Sequence, residues 1–210
     1  MRNLILISLF SIFLNYHLIT AESTAENLAL SNGTYTLNTK ASTLEWIGKK
    51  VTGQHNGTIN ISQGELIVEN DEIKTGNFAI DMSSIVDLDL NDPEWNKKLI
   101  THLKSEDFFS IENFPTAQFE ITQVEPIATA SENANYIVTG NLTIKGIIKE
   151  ISFPAKLQHI NQRIEATATI TIDRTQWEIK YGSGKFVSGL GDRLIYDDIN
   201  FKVKLVLSAK

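Results

Sequence analysis

Apolar and polar residues alternate with a period of two along most of the chain from Tyr35 onward. In "AQFEIT" the residues Ala117, Phe119 and Ile121 share one face of an extended segment, and residues 164–172 alternate in the same way. Alternation of this strength predicts half-buried antiparallel strands, with one face on the core and one face in water.

Turn-forming dipeptides separate these segments, and many short strands with regular turns predict a sandwich or a barrel. The predicted turns are Gln63-Gly64, Thr75-Gly76, Lys145-Gly146 and Asn161-Gln162. Residues 91–109 depart from this pattern. Pro93 follows an Asn-Asp pair, which is typical of a helix start, and Trp95, Leu99 and Leu103 follow at roughly helical spacing.

One segment changes its parity. Ile170 and Ile172 fall on one face, whereas Trp177, Ile179 and Tyr181 fall on the other, with "DRTQ" between them. A β-bulge or a corner at this point would bring both sets back to the inward face. Because barrels need such corners, the pattern favours a barrel over a flat sandwich.

The strand parities also predict which side chains face the interior. Gly140, Ala166 and Ala168 are small inward residues that leave space, and about eight strands leave room for side chains or for one small ligand. Periodicity alone leaves a filled core and a cavity equally open. The predicted inward residues are Trp46, Phe78, Ile80, Phe119, Leu142, Ile144, Trp177, Ile179 and Tyr181.

Composition excludes several classes of protein. The 210 residues are 42% hydrophobic and 21% charged, which is ordinary for a globular domain with a substantial core. The net charge of −6 and the lack of a basic patch give no reason to expect a nucleic-acid partner. With 0 cysteines there is no disulfide, thiol nucleophile or cysteine metal ligand, which fits an exported bacterial protein that is held by its core.

The N-terminal segment predicts export. Arg2 precedes an apolar run over residues 4–14 that is too short to span a membrane, and Ala21 suits a signal-peptidase site. We expect residues 1–21 to be a cleaved signal peptide, residues 22–34 a flexible leader and residues 35–210 the barrel domain, located in the periplasm or secreted. An uncleaved anchor is the alternative.

Five segments carry a resemblance to a known family: "VTGQHNGTI" (51–59), "FAIDMSSI" (78–85), "HLKSEDFFSIENFPTAQFEIT" (102–122), "YIVTGNLTIKGIIKEISFPA" (136–155) and "IDRTQWEIKYGSGKF" (172–186). In order and spacing they resemble the YceI-like family of lipid- or polyisoprenoid-binding proteins. The resemblance implies a lipocalin-like antiparallel barrel, export to the periplasm, and an apolar pocket for an isoprenoid chain or a fatty-acid-like lipid. Where many members carry Phe-Gly, this chain has Trp177-Glu178, and the bulkier Trp is expected to shorten or reshape the pocket.

The resemblance also gives a role to the aromatic connection after the predicted helix. A barrel with an apolar interior must be closed, and a short helix capping one end, with Phe108, Phe109 and Phe114 facing the mouth, would close it. Pocket candidates from the matched segments also include Val51 and Leu103.

Polar candidates are few. His55 and His102 lie in matched segments, where each suits a head-group contact or a hydrogen bond at the barrel end. Arg174 suits either an ion pair with Asp173 or an anionic head group. No metal site is predicted, because the histidines lack a His-x-x-His spacing. No catalytic motif such as Gly-x-Ser-x-Gly is present.

These observations predict an exported carrier for an isoprenoid or similar amphiphile, with no enzymatic activity, no cofactor other than the bound lipid, no membrane span, and a monomeric or homodimeric state. Two alternatives remain open from the sequence. One is a stress-response or interaction module with a filled core, and the other is a periplasmic enzyme that uses His55, His102 and Arg174.

Overall fold

The computed structural model describes residues 30–210, so the predicted signal peptide and most of the predicted leader lie outside the described residues. The described chain forms nine strands and one α-helix, in this order: β1 (Gly33–Leu37), β2 (Thr43–Lys50), β3 (Gly53–Glu69), β4 (Glu72–Asp87), α1 (Pro93–Lys104), β5 (Thr116–Pro126), β6 (Tyr136–Ile144), β7 (Ile147–Ile160), β8 (Arg163–Asp173) and β9 (Ile195–Ala209). Two 3₁₀ turns, Arg174–Trp177 and Gly191–Arg193, lie between β8 and β9.

The strands close into an antiparallel barrel. Neighbours follow the order β3, β2, β9, β8, β7, β6, β5, β4, and pairing of β4 with β3 closes the circle. The short β1 pairs with the last part of β3 and with the end of β9. It therefore shares with β2 the position between those two strands, so nine strands fill eight positions. The prediction of an all-β barrel of about eight strands with one short helix is confirmed.

Three hairpins turn through left-handed backbone. Both central residues have positive φ at Lys145-Gly146 (51° and 71°), at Asn161-Gln162 (49° and 63°) and at Asn70-Asp71 (54° and 61°). Two positive φ values in sequence are typical of the tight turn that matches the twist of antiparallel strands. The first two turns were predicted from the sequence, and the third was not.

The predicted turns at Gln63-Gly64 and Thr75-Gly76 are wrong, because both lie inside long strands. β3 and β4 each continue past these positions, with irregular register near Gln63 and Ile67. A Cβ on Gly64 would lie 2.4 Å from Cδ1 of Phe78, and a Cβ on Gly76 would lie 2.4 Å from Cδ2 of Leu66. These glycines therefore admit a large inward side chain from the neighbouring strand, and they do not reverse the chain.

The predicted corner after β8 is a departure from the sheet. β8 ends at Asp173, the chain makes a 3₁₀ turn, and Glu178 adopts left-handed backbone with a φ of 58°. The three aromatic or aliphatic residues that follow are therefore not strand residues, and the parity argument does not apply to them. Trp177 and Ile179 are buried but do not line the cavity, whereas Tyr181 is 48% exposed.

Helix α1 begins where the sequence predicts. The Asp92 carboxylate accepts hydrogen bonds from the backbone N–H groups of Glu94 and Trp95, at 2.9 and 3.1 Å, and Pro93 occupies the first turn. Trp95, Leu99 and Leu103 all lie in the helix as predicted, but Trp95 is 61% exposed, whereas Leu99 and Leu103 line the cavity. Among residues 30–210, no helix is both long and apolar enough to cross a bilayer.

Candidate ligand-binding cavity

The barrel encloses an apolar cavity of about 280 Å³. Its volume is close to the lower end of pockets that hold small organic molecules, roughly 300–1,000 Å³. Nearly all of the surface that faces it is apolar. Each strand from β2 to β9 contributes to the wall, for example through Trp46, Ile61, Phe78, Phe119, Leu142, Phe153, Ala168 and Phe201.

Small residues on two neighbouring strands keep part of this space open. Ala155 of β7 pairs with Ala168 of β8, and Ala166 follows on the same face of β8. Gly140, in contrast, does not add open space as its size suggested. A Cβ at Gly140 would lie 2.6 Å from Cζ of Phe119, so the Phe119 ring occupies that position.

The cavity extends from one end of the barrel towards the other. We call the end at which β2, β4, β6 and β8 finish, and on which α1 lies, the helix end. Leu103, Phe108 and Phe109 contribute to the wall near the helix end, and Leu66 and Leu157 contribute towards the opposite end. A chain-shaped molecule can therefore lie along the barrel interior.

Most of the ligand candidates from the sequence lie on the cavity wall, where a ligand contact stays a prediction for each. They are Trp46, His55, Phe78, Ile80, Leu103, Phe108, Phe109, Phe119, Leu142, Ile144 and Arg174.

Other candidates lie away from the wall. Val51 follows the end of β2 and is 49% exposed. Tyr181 and His102 face each other outside the cavity, with ring centroids 4.5 Å apart. Phe114 packs near Gly146 in the β6–β7 turn, where an added Cβ would lie 3.2 Å from its ring. The predicted interior position of Tyr181 is therefore wrong, because Tyr181 is 48% exposed in the connection after β8, whereas a position of Phe114 at the cavity mouth stays a prediction.

Trp177 does not line the cavity, and the expected effect of its bulk on the length or shape of the pocket stays a prediction. Trp177 is fully buried, and its Nε1 donates a hydrogen bond to the carbonyl oxygen of Leu142 at 3.1 Å. This bond ties the indole to β6, and Trp177 and Ile179 belong to one buried cluster with inward-facing residues such as Ile144. The pair thus packs against residues that line the cavity.

Most of the polar residues that border the cavity lie at the helix end, and Thr167 in the middle of β8 is the exception. Lys49 and Lys50 end β2, His55 begins β3, and Tyr196 begins β9. The two lysines were missed from the sequence, although a basic pair at the end of an alternating strand was a visible signal. The charged groups that border the cavity therefore all lie at this end.

Arg174 is a buried cation whose donors are already used. Its side chain is 1% exposed. Nη1 donates to the carbonyl oxygen of Ile179 at 2.8 Å, and Nη2 donates to that of Ile195 at 3.2 Å. Nε donates to the carbonyl of Tyr196 at 3.2 Å, and Nη2 lies 3.5 Å from Oδ1 of Asp197. The guanidinium therefore joins the segment after β8 to the start of β9.

The predicted ion pair between Asp173 and Arg174 is wrong. Asp173 instead accepts a hydrogen bond from Nζ of Lys185 at 2.6 Å. Partial burial acts to raise the pKa of Asp173, but the bonds from Lys185 and Thr175 outweigh it and hold that pKa below its ordinary value. Consecutive residues point to different partners because the chain leaves the sheet between them.

A polar cluster that the sequence did not indicate lies beside the cavity. His55 Nδ1 is 3.0 Å from Oδ2 of Asp89 and 3.9 Å from Oδ2 of Asp87. Burial raises the pKa of the Asp87 carboxyl, and the neighbouring Asp89 adds to this effect. Burial also acts to raise the pKa of Asp89, but hydrogen bonds from Asn56 and His55 leave it lowered. The 34 residues between His55 and Asp89 explain why spacing did not reveal the cluster.

A closed antiparallel barrel around an apolar cavity, with a short helix at one end, places the protein in the lipocalin-like class of folds. Residues 35–207 match the YceI-like domain. The chain belongs to the YceI-like family, and the resemblance found in the sequence is confirmed.

Solved structures share the fold at low sequence identity. BcnA of Burkholderia cenocepacia is 21% identical, with a TM-score of 0.62, over 81% of this chain and 98% of that one. A polyisoprenoid binding domain from Saccharophagus degradans is 14% identical, with a TM-score of 0.62, over 84% of this chain and 98% of that one.

Curated relatives match over shorter stretches. A UPF0312 protein of Photorhabdus laumondii is 38% identical over 73 residues, which cover 35% of this chain and 33% of the relative. A UPF0312 protein of Pseudomonas aeruginosa is 37% identical over 70 residues, which cover 33% of this chain and 32% of the relative. The alignments thus span about a third of the length of these relatives.

Proposed function

We propose that the protein binds and carries an amphiphilic lipid, with an isoprenoid or similar chain held in the barrel cavity. The observation that carries this proposal is the apolar cavity of about 280 Å³ inside a closed barrel. Such a space favours a binding protein over the filled-core module that the sequence left open. The polyisoprenoid binding described for the Saccharophagus degradans domain supports the same class of ligand.

The interaction energy is sufficient without polar contacts to the tail. Burial of each CH₂ group contributes roughly 0.8 kcal/mol. About ten buried carbons therefore offer roughly 8 kcal/mol, which corresponds to about micromolar affinity before ordering costs are subtracted. Selectivity for chain length would come from the shape of the wall, and selectivity for the head group from the helix end.

We propose that the lipid tail lies inside the barrel and that the head group stays at the helix end. Lys49 and Lys50 are exposed at the helix end, and His55 borders the cavity there. The opposite end is closed by a buried cluster that includes Tyr35 and Leu207. An anionic or polar head group would thus remain beside the lysines, in contact with water.

Several further features belong to the proposal. The chain is exported after removal of residues 1–21, residues 22–34 form a leader, and residues 35–210 act as one binding domain without catalysis. His55, His102 and Arg174 do not form one constellation, because His102 packs against Tyr181 away from the cavity and Arg174 bonds to backbone carbonyls. This arrangement disfavours the enzyme alternative.

Native mass spectrometry of protein purified from its own host tests the function. A carrier should retain a lipid, and denaturation should release a mass of isoprenoid or acyl size. After delipidation, protein from the same preparation should no longer show the mass of the bound lipid. Incubation with the extracted lipid should restore that mass. Repeated isolation of ligand-free protein that takes up neither isoprenoid nor acyl lipids would contradict the proposal.

The aromatic connection gives a direct test of the cavity mouth. Phe109 lies on the cavity wall and is half-buried, so Phe109→Ala should weaken binding of a fluorescent isoprenoid analogue by about tenfold or more, as expected for the loss of roughly 1.5–3 kcal/mol of apolar contact. Its cost in unfolding free energy should stay below the ~3–5 kcal/mol typical of a fully packed Phe. Both measurements use delipidated protein, because bound ligand would stabilise it by mass action.

Phe114→Ala is the matched control. This ring is also half-buried, but it lies off the cavity wall near Gly146. It should lower the urea midpoint without changing affinity after correction for the folded fraction. Equal effects of Phe109→Ala and Phe114→Ala on affinity would show that Phe109 does not cover the ligand.

A further inference from the structure

We infer that His55, Asp87 and Asp89 form a binding site for a divalent transition-metal cation of the zinc type at the helix end of the barrel. Their ligand-type atoms, one imidazole nitrogen and two carboxylate oxygens, all lie within 4.8 Å of one another. This inference goes beyond lipid binding and holds whether or not the cavity takes a lipid.

The first argument is an unpaired oxygen. The Asp87 side chain is 0% exposed, and its Oδ2 has no hydrogen-bond partner among residues 30–210. A buried carboxylate oxygen without a partner costs free energy, and buried charges in native proteins are usually paired or coordinate a metal. Oδ2 is the atom that faces His55.

The second argument is how the two carboxylates are held. Oδ1 of Asp87 accepts from the backbone N–H of Leu90 at 2.8 Å and from Nδ2 of Asn96 at 3.2 Å. Oδ1 of Asp89 accepts from the backbone N–H of Asn56 at 2.6 Å. Each carboxylate thus uses one oxygen for protein donors and turns the other towards His55. Such outer hydrogen bonds orient the ligands of metal sites.

The third argument is the spacing of the ligand atoms. Tetrahedral bonds of about 2.0 Å to zinc separate neighbouring ligand atoms by about 3.3 Å. The distances of 3.0 and 3.9 Å from His55 Nδ1 to the two Oδ2 atoms lie on either side of this value. One imidazole and two carboxylates suit zinc and other first-row divalent cations better than magnesium, which prefers oxygen ligands and retains its water. A fourth position would stay open to solvent.

Three segments that are distant in sequence create the site. His55 begins β3, Asp87 ends β4, and Asp89 follows in the connection to α1, which Asn96 ties to Asp87. The rival interpretation is a proton shared between the two carboxyls beside His55. Both interpretations explain the geometry, but they differ in their response to metal ions and to neutralisation of Asp87.

The test is calorimetric titration of the purified protein, freed of metal by a chelator, with Zn²⁺ alone, together with the absorption spectrum after addition of Co²⁺. We expect one saturable Zn²⁺ site and the visible bands of a low-coordinate Co²⁺ complex. Mg²⁺ should not compete. Asp87→Asn and His55→Gln should each weaken Zn²⁺ binding by about tenfold or more, because the loss of an outer hydrogen-bond partner already costs 10–100-fold.

Asp87→Asn keeps an Oδ1 acceptor for Leu90 and Asn96, so it should fold, and circular dichroism checks this. His102→Gln is the matched control, because His102 Nε2 lies 3.0 Å from a single carboxylate, Asp107, at an exposed position. It should bind Zn²⁺ as the unsubstituted protein does. Zn²⁺ affinity unchanged by both Asp87→Asn and His55→Gln would overturn the site. A more stable Asp87→Asn protein, with no saturable Zn²⁺ binding by the original chain, would assign the cluster to a shared proton.

Discussion

Replacement of Arg174 by Met should destabilise the barrel by about 3–5 kcal/mol, which is the range observed when one partner of a buried charged pair is removed. Met fills much of the same space but cannot donate hydrogen bonds. The carbonyl oxygens of Ile179, Ile195 and Tyr196 would lose their donors inside the protein. Each buried acceptor left without a partner costs about 1–3 kcal/mol. Asp197 would lose its buried counter-ion as well.

Urea unfolding of the delipidated protein measures this effect, with Arg163→Met as the control. Arg163 begins the same strand, β8, but its side chain is exposed, so its loss should change the unfolding free energy little. A similar small change for Arg174→Met would show that the guanidinium does not hold the two segments together. In that case the head-group role predicted for Arg174 would regain support, and a loss of lipid affinity would be the matching observation.

Ala168→Trp should reduce lipid affinity by about a hundredfold while the barrel stays folded. Ala168 lies on the cavity wall, opposite Ala155 and Val203 on the neighbouring strands. A Trp at this position would occupy space that the tail needs. Exclusion of three or four CH₂ groups at roughly 0.8 kcal/mol each removes about 3 kcal/mol of binding energy, which is about a hundredfold in affinity.

The measurement is titration of delipidated protein with a fluorescent isoprenoid analogue, beside thermal unfolding to detect overpacking, which typically costs ~1–3 kcal/mol. Thr169→Trp is the matched control, because Thr169 is exposed on the outer face of the same strand. Its affinity should equal that of the original chain. Undiminished binding by a folded Ala168→Trp protein would place the ligand outside the barrel.

The fold was largely accessible from the sequence because period-two alternation reports directly which face of a strand is buried. The segments around Phe119 and Ile170 show this well, since their predicted inward faces line the cavity. The cap at Asp92 was also predictable, because capping depends on residues that are close in sequence. The predictions of turns at Gly64 and Gly76 were wrong, because a glycine is equally typical of a turn and of a place where a neighbouring side chain approaches the backbone closely. Only the neighbouring strand distinguishes the two cases.

The candidate site was accessible in part. Parity placed Trp46, Phe78 and Leu142 on the wall, but it failed for Tyr181, because the 3₁₀ turn before it ended the strand on which parity depends. The open space itself could not be derived from small residues. Gly140 and Ala168 look alike in the sequence, yet the Phe119 ring fills the space beside Gly140.

The sequence by itself determined the alternating strand faces, the helix start and the family, because these depend on local periodicity and on motifs in a fixed order. The tertiary structure alone decided where the polar groups act. It directs Arg174 to three backbone carbonyls and brings His55 to Asp87 and Asp89. For the His55 cluster the physical reason is the pairing of β3 with β4, which brings His55 close to Asp89, 34 positions away. For Arg174 it is the 3₁₀ turn that takes the chain out of the sheet after β8. The alternation of apolar and polar residues along a strand carries no information about such long-range contacts.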